Sequence, residues 1–280
     1  MSTNKDEHDP FRISEYLKAA LIASDSATEI LMSKFSSINP TLGSMGLASW
    51  EKSPGDIVTE ADLESDRVIK LALSGENSRG DIYSEEGFKE NGGGQYCWLV
   101  DPLCGTQCYA SGLPTFGLSI TLLGPSLELI LGVMVMPSIK ERLVTVREKT
   151  VTRNGRPWKP EPPASKLSST LIGLAVGGSW KNVGNKLTWT GGTGGIISFG
   201  SAPYSVFHLA AGHLGAQVFY NAGVEHIAAG AAICEQLGLT ISDAFGKSIK
   251  WQPNKVYETI VFSWPKYHDS LIGLMEKEQN

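Results

Sequence analysis

The stretch Cys97-Trp98-Leu99-Val100-Asp101-Pro102-Leu103-Cys104-Gly105-Thr106 decides the fold. An apolar run carrying Trp98, Leu99 and Val100 enters an Asp-Pro and then meets a glycine, which predicts a buried strand that delivers a carboxylate to an exposed turn. Pro102 biases Asp101 toward extended backbone, and Gly105 permits a sharp turn with its amides near the site. Such a turn can hold a cation and a phosphate together, so Asp101 is a placed residue.

The chain has 280 residues, 41% of them apolar, and a formal charge of -5. That length suffices for one large domain or two closely packed lobes. Basic and acidic residues are interspersed without a basic stripe, so no nucleic-acid partner is expected and a small-molecule substrate is. The N-terminus is polar and acidic where a signal peptide needs a positive start and an apolar segment. No later run approaches a membrane helix in length, so no membrane association and a cytoplasmic location are expected. Four cysteines, Cys97, Cys104, Cys108 and Cys234, are too few for a disulfide framework and are expected to be thiols.

Working outward, apolar spacing predicts a long helix over residues 14–35, with Ser14 as N-cap, and a second over 60–73 with Asp62 in its first turn. Residues 81–87 read as a short strand ending on Glu85-Glu86, followed by a polar, glycine-rich hairpin loop over 89–95 with no phosphate-loop lysine. Residues 116–123 and 127–137 read as two central strands joined at Gly124-Pro125. A basic turn at Arg153-Asn154-Gly155-Arg156 and the prolines of 157–163 put a lobe boundary near 160, and residues 168–176 open the second lobe. The glycine cluster 191–195 is expected to be a flexible loop, and Ser201 to cap the next helix. Cys97 and Cys234 are expected in the core. Cys108 either faces the cleft beside Cys104 or packs under the turn. His208 and His213 are expected to be structural.

Trp98-x-x-Asp101-Pro102-x-Cys104-Gly105-Thr106 resembles the W-x-x-D-P-x-D-G-T signature of the inositol monophosphatase superfamily of metal-dependent, often lithium-sensitive phosphatases. Asp56 to Asp62 is similar to its D-x-V-T-x-x-D segment, Glu85-Glu86 to its G-E-E ending with Ser84 in place of glycine, and Gly200-Ser201-Ala202 to its G-S-A. Ala228-Ala229-Gly230 fixes the register against its W-D-x-A-A-G segment. The resemblance implies an α/β fold, a layered α-β-α-β-α sandwich of the inositol monophosphatase/fructose-bisphosphatase type, and a homodimer. It implies an N-terminal lobe, 1–160, carrying Asp62, Glu85, Asp101 and Cys104, and a C-terminal lobe, 161–280, carrying His226. It further implies one metal held by Glu85, Asp101 and the main-chain oxygen of Leu103, with Glu86 as a supporting acid and Asp62 and Thr106 positioning water. The second metal of the family lies between the positions of Asp101, Cys104 and His226. Phe219, Tyr220 and Asn221 fall on the substrate edge.

Two of those ligand positions have changed. Cys104 and His226 both stand where the family has a metal-binding aspartate, and Glu225 stands where it has tryptophan. Mg²⁺ is a hard cation that wants oxygen ligands, so Mg²⁺ is expected at one position only and inherited phosphatase turnover is expected to be weak or lost. Three readings stay open. One is a divergent phosphomonoesterase. Another is a repurposed enzyme, with Cys104 and His226 as thiol nucleophile and base for acyl or amide transfer, oriented by Asp101 or Glu225, or as Zn²⁺ or Fe²⁺ ligands together with Asp101. The third is a noncatalytic relative without a cofactor.

Overall fold

The computed structural model describes residues 10–38, 47–53, 56–91, 95–178, 183 and 186–276. The polar N-terminal residues 1–9 and the glycines 92–94 lie outside the described residues, as does the side chain of Asp56. The chain opens with helix α1 (Pro10–Ser36), the hairpin of β1 (Ser49–Ser53) and β2 (Asp56–Thr59), and helix α2 (Glu60–Leu73). Helix α1 begins at Pro10, so Ser14 lies inside it and caps nothing. A proline's fixed φ suits the first helical position, where its missing N–H is no loss.

Eight strands follow: β3 (Asp81–Ser84), β4 (Gly87–Lys89), β5 (Cys97–Cys104), β6 (Gly117–Leu123), β7 (Leu129–Met136), β8 (Glu141–Val146), β9 (Thr152–Arg153) and β10 (Arg156–Pro157). They form one sheet in the order β10-β9-β8-β7-β6-β5-β3-β4, antiparallel except where β3 meets β5. The tip of the β3–β4 hairpin is therefore Glu85-Glu86, and since β3 pairs in parallel with β5, the hairpin lies before residue 89 and not at 89–95. The expected basic turn is the β9–β10 hairpin, with Asn154 and Gly155 both at positive φ, as a two-residue primed turn requires.

A second sheet contains β11 (Leu171–Val176), β12 (Gly195–Ile197), β13 (Ala216–Gly223), β14 (Thr240–Ser242) and β15 (Val256–Ser263), in the order β12-β11-β13-β15-β14. The glycine cluster is no loose loop: it forms a 3-10 turn, Thr188–Gly192, and the start of β12. A Cβ on Gly194 would stand 2.4 Å from the Ser169 carbonyl carbon. The remaining helices are α3 (Thr106–Ala110), α4 (Ala202–Ala210), α5 (Val224–Gln236) and α6 (Pro265–Glu276).

Because strand side chains alternate between faces, the two sheets divide the apolar residues into three cores. Trp98, Val100, Ile120 and Val133 face Tyr16, Leu31 and Ile69 of α1 and α2. Leu99, Met134 and Met136 face α4 and α5, which receive Phe219, Ile260 and Phe262 of the second sheet on their other side. Val218, Tyr220 and Val261 close on Leu271, Ile272 and Met275 of α6. The layers are thus the expected α-β-α-β-α sandwich. Among the described residues no helix is long and apolar enough to cross a membrane.

Strand β5 does not stop at Asp101. It continues through Pro102 to Cys104, and its pairing with β6 skips from Asp101–Ser119 to Cys104–Gly117, a bulge that absorbs a proline with no N–H to give. Asp101 is consequently buried within the strand and not set on an exposed turn. The turn itself is Gly105, at φ +93°, where a Cβ would lie 2.9 Å from the Thr115 carbonyl oxygen and 3.0 Å from that of Gly200. Gly105→Ala therefore combines left-handed backbone strain with a collision against two main chains and is expected to destabilise the protein by about 2 kcal/mol or more. Gly155→Ala, at φ +76° in open space, carries the backbone strain alone. Thermal melts of the two variants test the difference, and equal losses would contradict a close-packed turn.

Candidate active site

The N-terminus of α2, the C-terminal end of β5, the β3–β4 turn and the N-terminus of α5 converge on one place. Thr59 caps α2: its hydroxyl accepts the Ala61 N–H at 3.2 Å and donates to Asp62 Oδ2 at 2.5 Å, and that oxygen also accepts the Thr59 N–H at 2.9 Å. The other oxygen, Oδ1, accepts the Thr106 hydroxyl at 2.9 Å, and the same hydroxyl lies 3.1 Å from the Leu103 carbonyl oxygen. Ser65 donates to the Pro102 carbonyl at 2.8 Å, lacing α2 to the turn after Asp101. Burial pushes the Asp62 carboxyl up to about 6, against the hydrogen bonds from Thr59 and Thr106 that favour its charged form.

Asp101 is fully buried. Its Oδ2 lies 2.6 Å from His226 Nδ1, and its Oδ1 has no hydrogen-bond partner. His226 comes from the first turn of α5 and keeps 30% of its side-chain surface accessible. Burial works against the charged ring, but the Asp101 charge and hydrogen bond, Cys104 and Glu85 outweigh it and hold the imidazole well above its ordinary value. Glu225 Oε1 lies 3.5 Å from His226 Nε2 on the other edge of the ring.

Cys104 is buried, and its Sγ accepts the Ala202 N–H, the first of α4, at 3.1 Å. Ser201, the expected cap of that helix, makes no side-chain cap, and its hydroxyl is buried without a partner. A thiol from β5 takes over the cap. Burial, with the Asp101 charge, pushes the Cys104 thiol up to about 12 in spite of His226 and the helix amide, so it stays protonated at neutral pH. Ligand atoms of Asp101, Cys104 and His226 all lie within 4.8 Å of one another.

The Glu85 carboxylate lies 3.9 Å from His226 Nδ1. Burial and the Asp101 charge push it up to about 8, against the opposing pull of His226 and Lys52. Glu86 is more deeply buried and pairs with Lys52 of β1, which also reaches Glu85 at 3.5 Å. Lys52 is the charged residue that the sequence reading missed; nothing in its local pattern marks it, since it meets the acids only because β1 folds beside the β3–β4 turn. Ser84, where the family has glycine, donates to Asp66 at 2.5 Å and so ties that turn to α2.

The substrate-edge residues do not stay together. Phe219 is 2% exposed and packs on Phe262 in the middle core, while Tyr220 is 3% exposed in the outer one, its hydroxyl donating to the Lys186 carbonyl at 3.0 Å. Strand alternation sends them to opposite faces, leaving Asn221, at φ +50°, half-buried. Cys234 is buried and Cys97 half-buried, its thiol pushed up to about 12 by burial. Cys108 packs under the turn, with its sulfur 3.7 Å from the Phe199 carbonyl oxygen. A cavity of 550 Å³ among Glu128, Arg147, Glu235 and Trp251 lies at the opposite end of α5, away from this chemistry.

The residues on hand fit one hard cation. Asp101 Oδ1 is a buried oxygen without a donor, Glu85 is an acid whose charge is disfavoured until a counter-charge arrives, and the Leu103 carbonyl oxygen faces the same turn. They do not fit a second one, because Cys104 and His226 bring a neutral thiol and a cationic ring where a hard ion wants carboxylates.

The model of the inositol monophosphatase family matches residues 12–280. The chain is 30% identical over 203 residues to inositol-1-monophosphatase of Mesorhizobium japonicum, covering 70% of this chain and 75% of that one. It is 28% identical over 237 residues to the fructose-1,6-bisphosphatase/inositol-1-monophosphatase of Thermotoga maritima, covering 81% and 86%. Among solved structures, the extragenic suppressor protein suhB from Bartonella henselae superposes with a TM-score of 0.82 at 21% identity, over 93% of this chain and 98% of that one, a likeness of fold. With every layer of the sandwich and the strand that delivers Asp101 accounted for, the chain belongs to the inositol monophosphatase family.

Proposed function

We propose that this protein is a slow metal-dependent phosphomonoesterase in which the imidazolium of His226 stands in for the second cation of the site. The observation that carries the reading is the 2.6 Å pair between His226 Nδ1 and the fully buried Asp101. Where the family gathers carboxylates that need a divalent ion, this chain pairs a carboxylate with an internal positive charge beside a neutral thiol. The charges there balance without a second ion.

Glu85, Asp101 and the Leu103 carbonyl are the groups that would hold one Mg²⁺. A cation there supplies Lewis-acid polarisation of a phosphoryl oxygen. The Thr106 hydroxyl is fixed by Asp62 Oδ1 and the Leu103 carbonyl, which suits it to orient a water. Asp62, with its carboxyl near neutrality, suits it to take that water's proton. His226 adds positive charge for a phosphate but only one unit of it, fixed on a ring, so turnover on small substrates such as inositol 1-phosphate is low.

A second reading rests on the convergence of Asp101, Cys104 and His226. A borderline ion such as Zn²⁺ accepts O, S and N ligands together. With the thiol pushed up to about 12 and the ring held protonated, binding there must expel two protons, one from each. The buried neutral thiol weighs against Cys104 as a nucleophile.

Three measurements check these readings. Cys104→Asp combined with His226→Asp restores the carboxylates and is expected to raise Mg²⁺-dependent hydrolysis of inositol 1-phosphate, while Glu85→Gln abolishes the wild-type rate; no gain from the double variant would refute the stand-in role of His226. Zn²⁺ calorimetry in buffers of different ionisation enthalpy counts released protons: two released protons with sub-micromolar affinity would favour the softer site over the slow phosphatase. For stability, the raised Asp62 carboxyl means that the folded state binds its proton more tightly than the unfolded chain does. Its contribution is full below about pH 4 and is lost as pH rises to about 6. Asp62→Asn keeps an acceptor for Thr106 and is expected to flatten the denaturation midpoint over that window, whereas an unchanged slope would show that Asp62 ionises normally.

A further inference from the structure

A second set of metal-ligating side chains lies outside the site, at the end of α4. The helix finishes in a Schellman motif: Gly212 takes the left-handed conformation at φ +75°, its N–H donates to the Leu209 carbonyl at 3.0 Å, and the His213 N–H donates to the His208 carbonyl at 2.9 Å. This wrap sets the residue beyond the glycine beside the last turn, where the motif ordinarily makes a hydrophobic contact. Here both residues are histidines. Their Nδ1 atoms stand 2.8 Å apart. His208 is held by a stack on Phe199, with ring centroids 4.6 Å apart and planes at 17°, and is flanked by Tyr204 at 5.3 Å. His213 is exposed, so the pair is open to ions from solvent.

We propose that His208 and His213 chelate a divalent transition-metal ion through their two Nδ1 atoms, with Cu²⁺ preferred and Ni²⁺ next. Imidazole nitrogens bound at ~2.0–2.1 Å stand ~2.9 Å apart when cis at a right angle, so the hydrogen-bonded pair, 2.8 Å apart, needs little change of separation to receive a tetragonal or octahedral ion. The affinity order of divalent ions for nitrogen sites then puts Cu²⁺ above Ni²⁺. In the hydrogen-bonded pair one ring gives its Nδ1 proton to the other. Chelation moves that proton to Nε2 of its own ring, a tautomer change without net charge.

Ni²⁺ calorimetry, which spares the thiols from oxidation, and Cu²⁺ electron paramagnetic resonance on the full chain test the site. Wild-type protein is expected to bind one ion with hyperfine coupling from two imidazole nitrogens, and His226→Ala, which removes the active-site cluster, keeps it. His213→Ala, a surface change, is expected to weaken binding about tenfold or more, as loss of one arm of a chelate does. Unchanged affinity in His213→Ala, or a signal that vanishes in His226→Ala, would overturn the proposal.

Discussion

A carboxylate without access to water must find its counter-charge inside the protein, and at Asp101 that constraint binds the two halves of the chain to each other. The acid is delivered by β5 of the first sheet, and the ring that meets it comes from α5, the helix wedged between the sheets. Neither element can shift without leaving a buried charge unpaired. The same contact explains the crowding beneath it: the bulge at Pro102 lets the strand continue to Cys104, and Gly105 turns where no larger residue fits. Layer packing brings the pieces close, and the Asp101–His226 pair, with the Ser119 hydroxyl donating to the Glu225 carbonyl at 3.0 Å, ties the first sheet to the start of α5.

The changed ligands have different local consequences. His226 brings charge, while Cys104 brings almost none and has a mechanical task instead, capping α4 through the Ala202 amide where Ser201 fails to do so. A helix N-terminus ordinarily lowers a thiol's pKa, yet full desolvation beside Asp101 is the larger effect here. The two acids on the β3–β4 turn are balanced from the other side by Lys52. His226 and Lys52, both partly accessible, are thus the cations set against the site's acids, and Asp101 Oδ1 is a buried oxygen without a hydrogen-bond partner.

Most of this architecture was legible in the sequence because strand alternation and helix spacing are local signals. The apolar runs around Trp98, Leu118 and Val133 and the glycine at 105 are unambiguous, and the register at Ala228-Ala229-Gly230 sufficed to put His226 opposite Asp101. What could not be read depends on neighbours distant in sequence. The exposed turn expected at Asp101 became a buried strand because β6 pairs beyond Pro102. Phe219 and Tyr220, adjacent in sequence, went to different cores because a strand alternates its faces, and the Lys52 pairing required knowing where β1 lies. The thiol's protonation state was beyond composition altogether, since Cys104 and a reactive cysteine look alike until burial is known.

The geometry also constrains how such a site could arise from one that gathers only oxygens. Replacing the acid at 226 alone would bring a cationic ring against the remaining carboxylates and any bound metals, displacing an ion while leaving an acid at 104 to pair with the ring. Replacing the acid at 104 alone would remove a ligand but leave two buried acids, at 101 and 226, still demanding a cation. In the first order one ring faces two acids and an excess acid remains; in the second the two acids stay dependent on a bound cation. Contact of both positions with Asp101 thus makes them non-additive: His226 supplies the counter-charge, and Cys104 removes an acid from its neighbourhood while retaining an acceptor for the α4 amide.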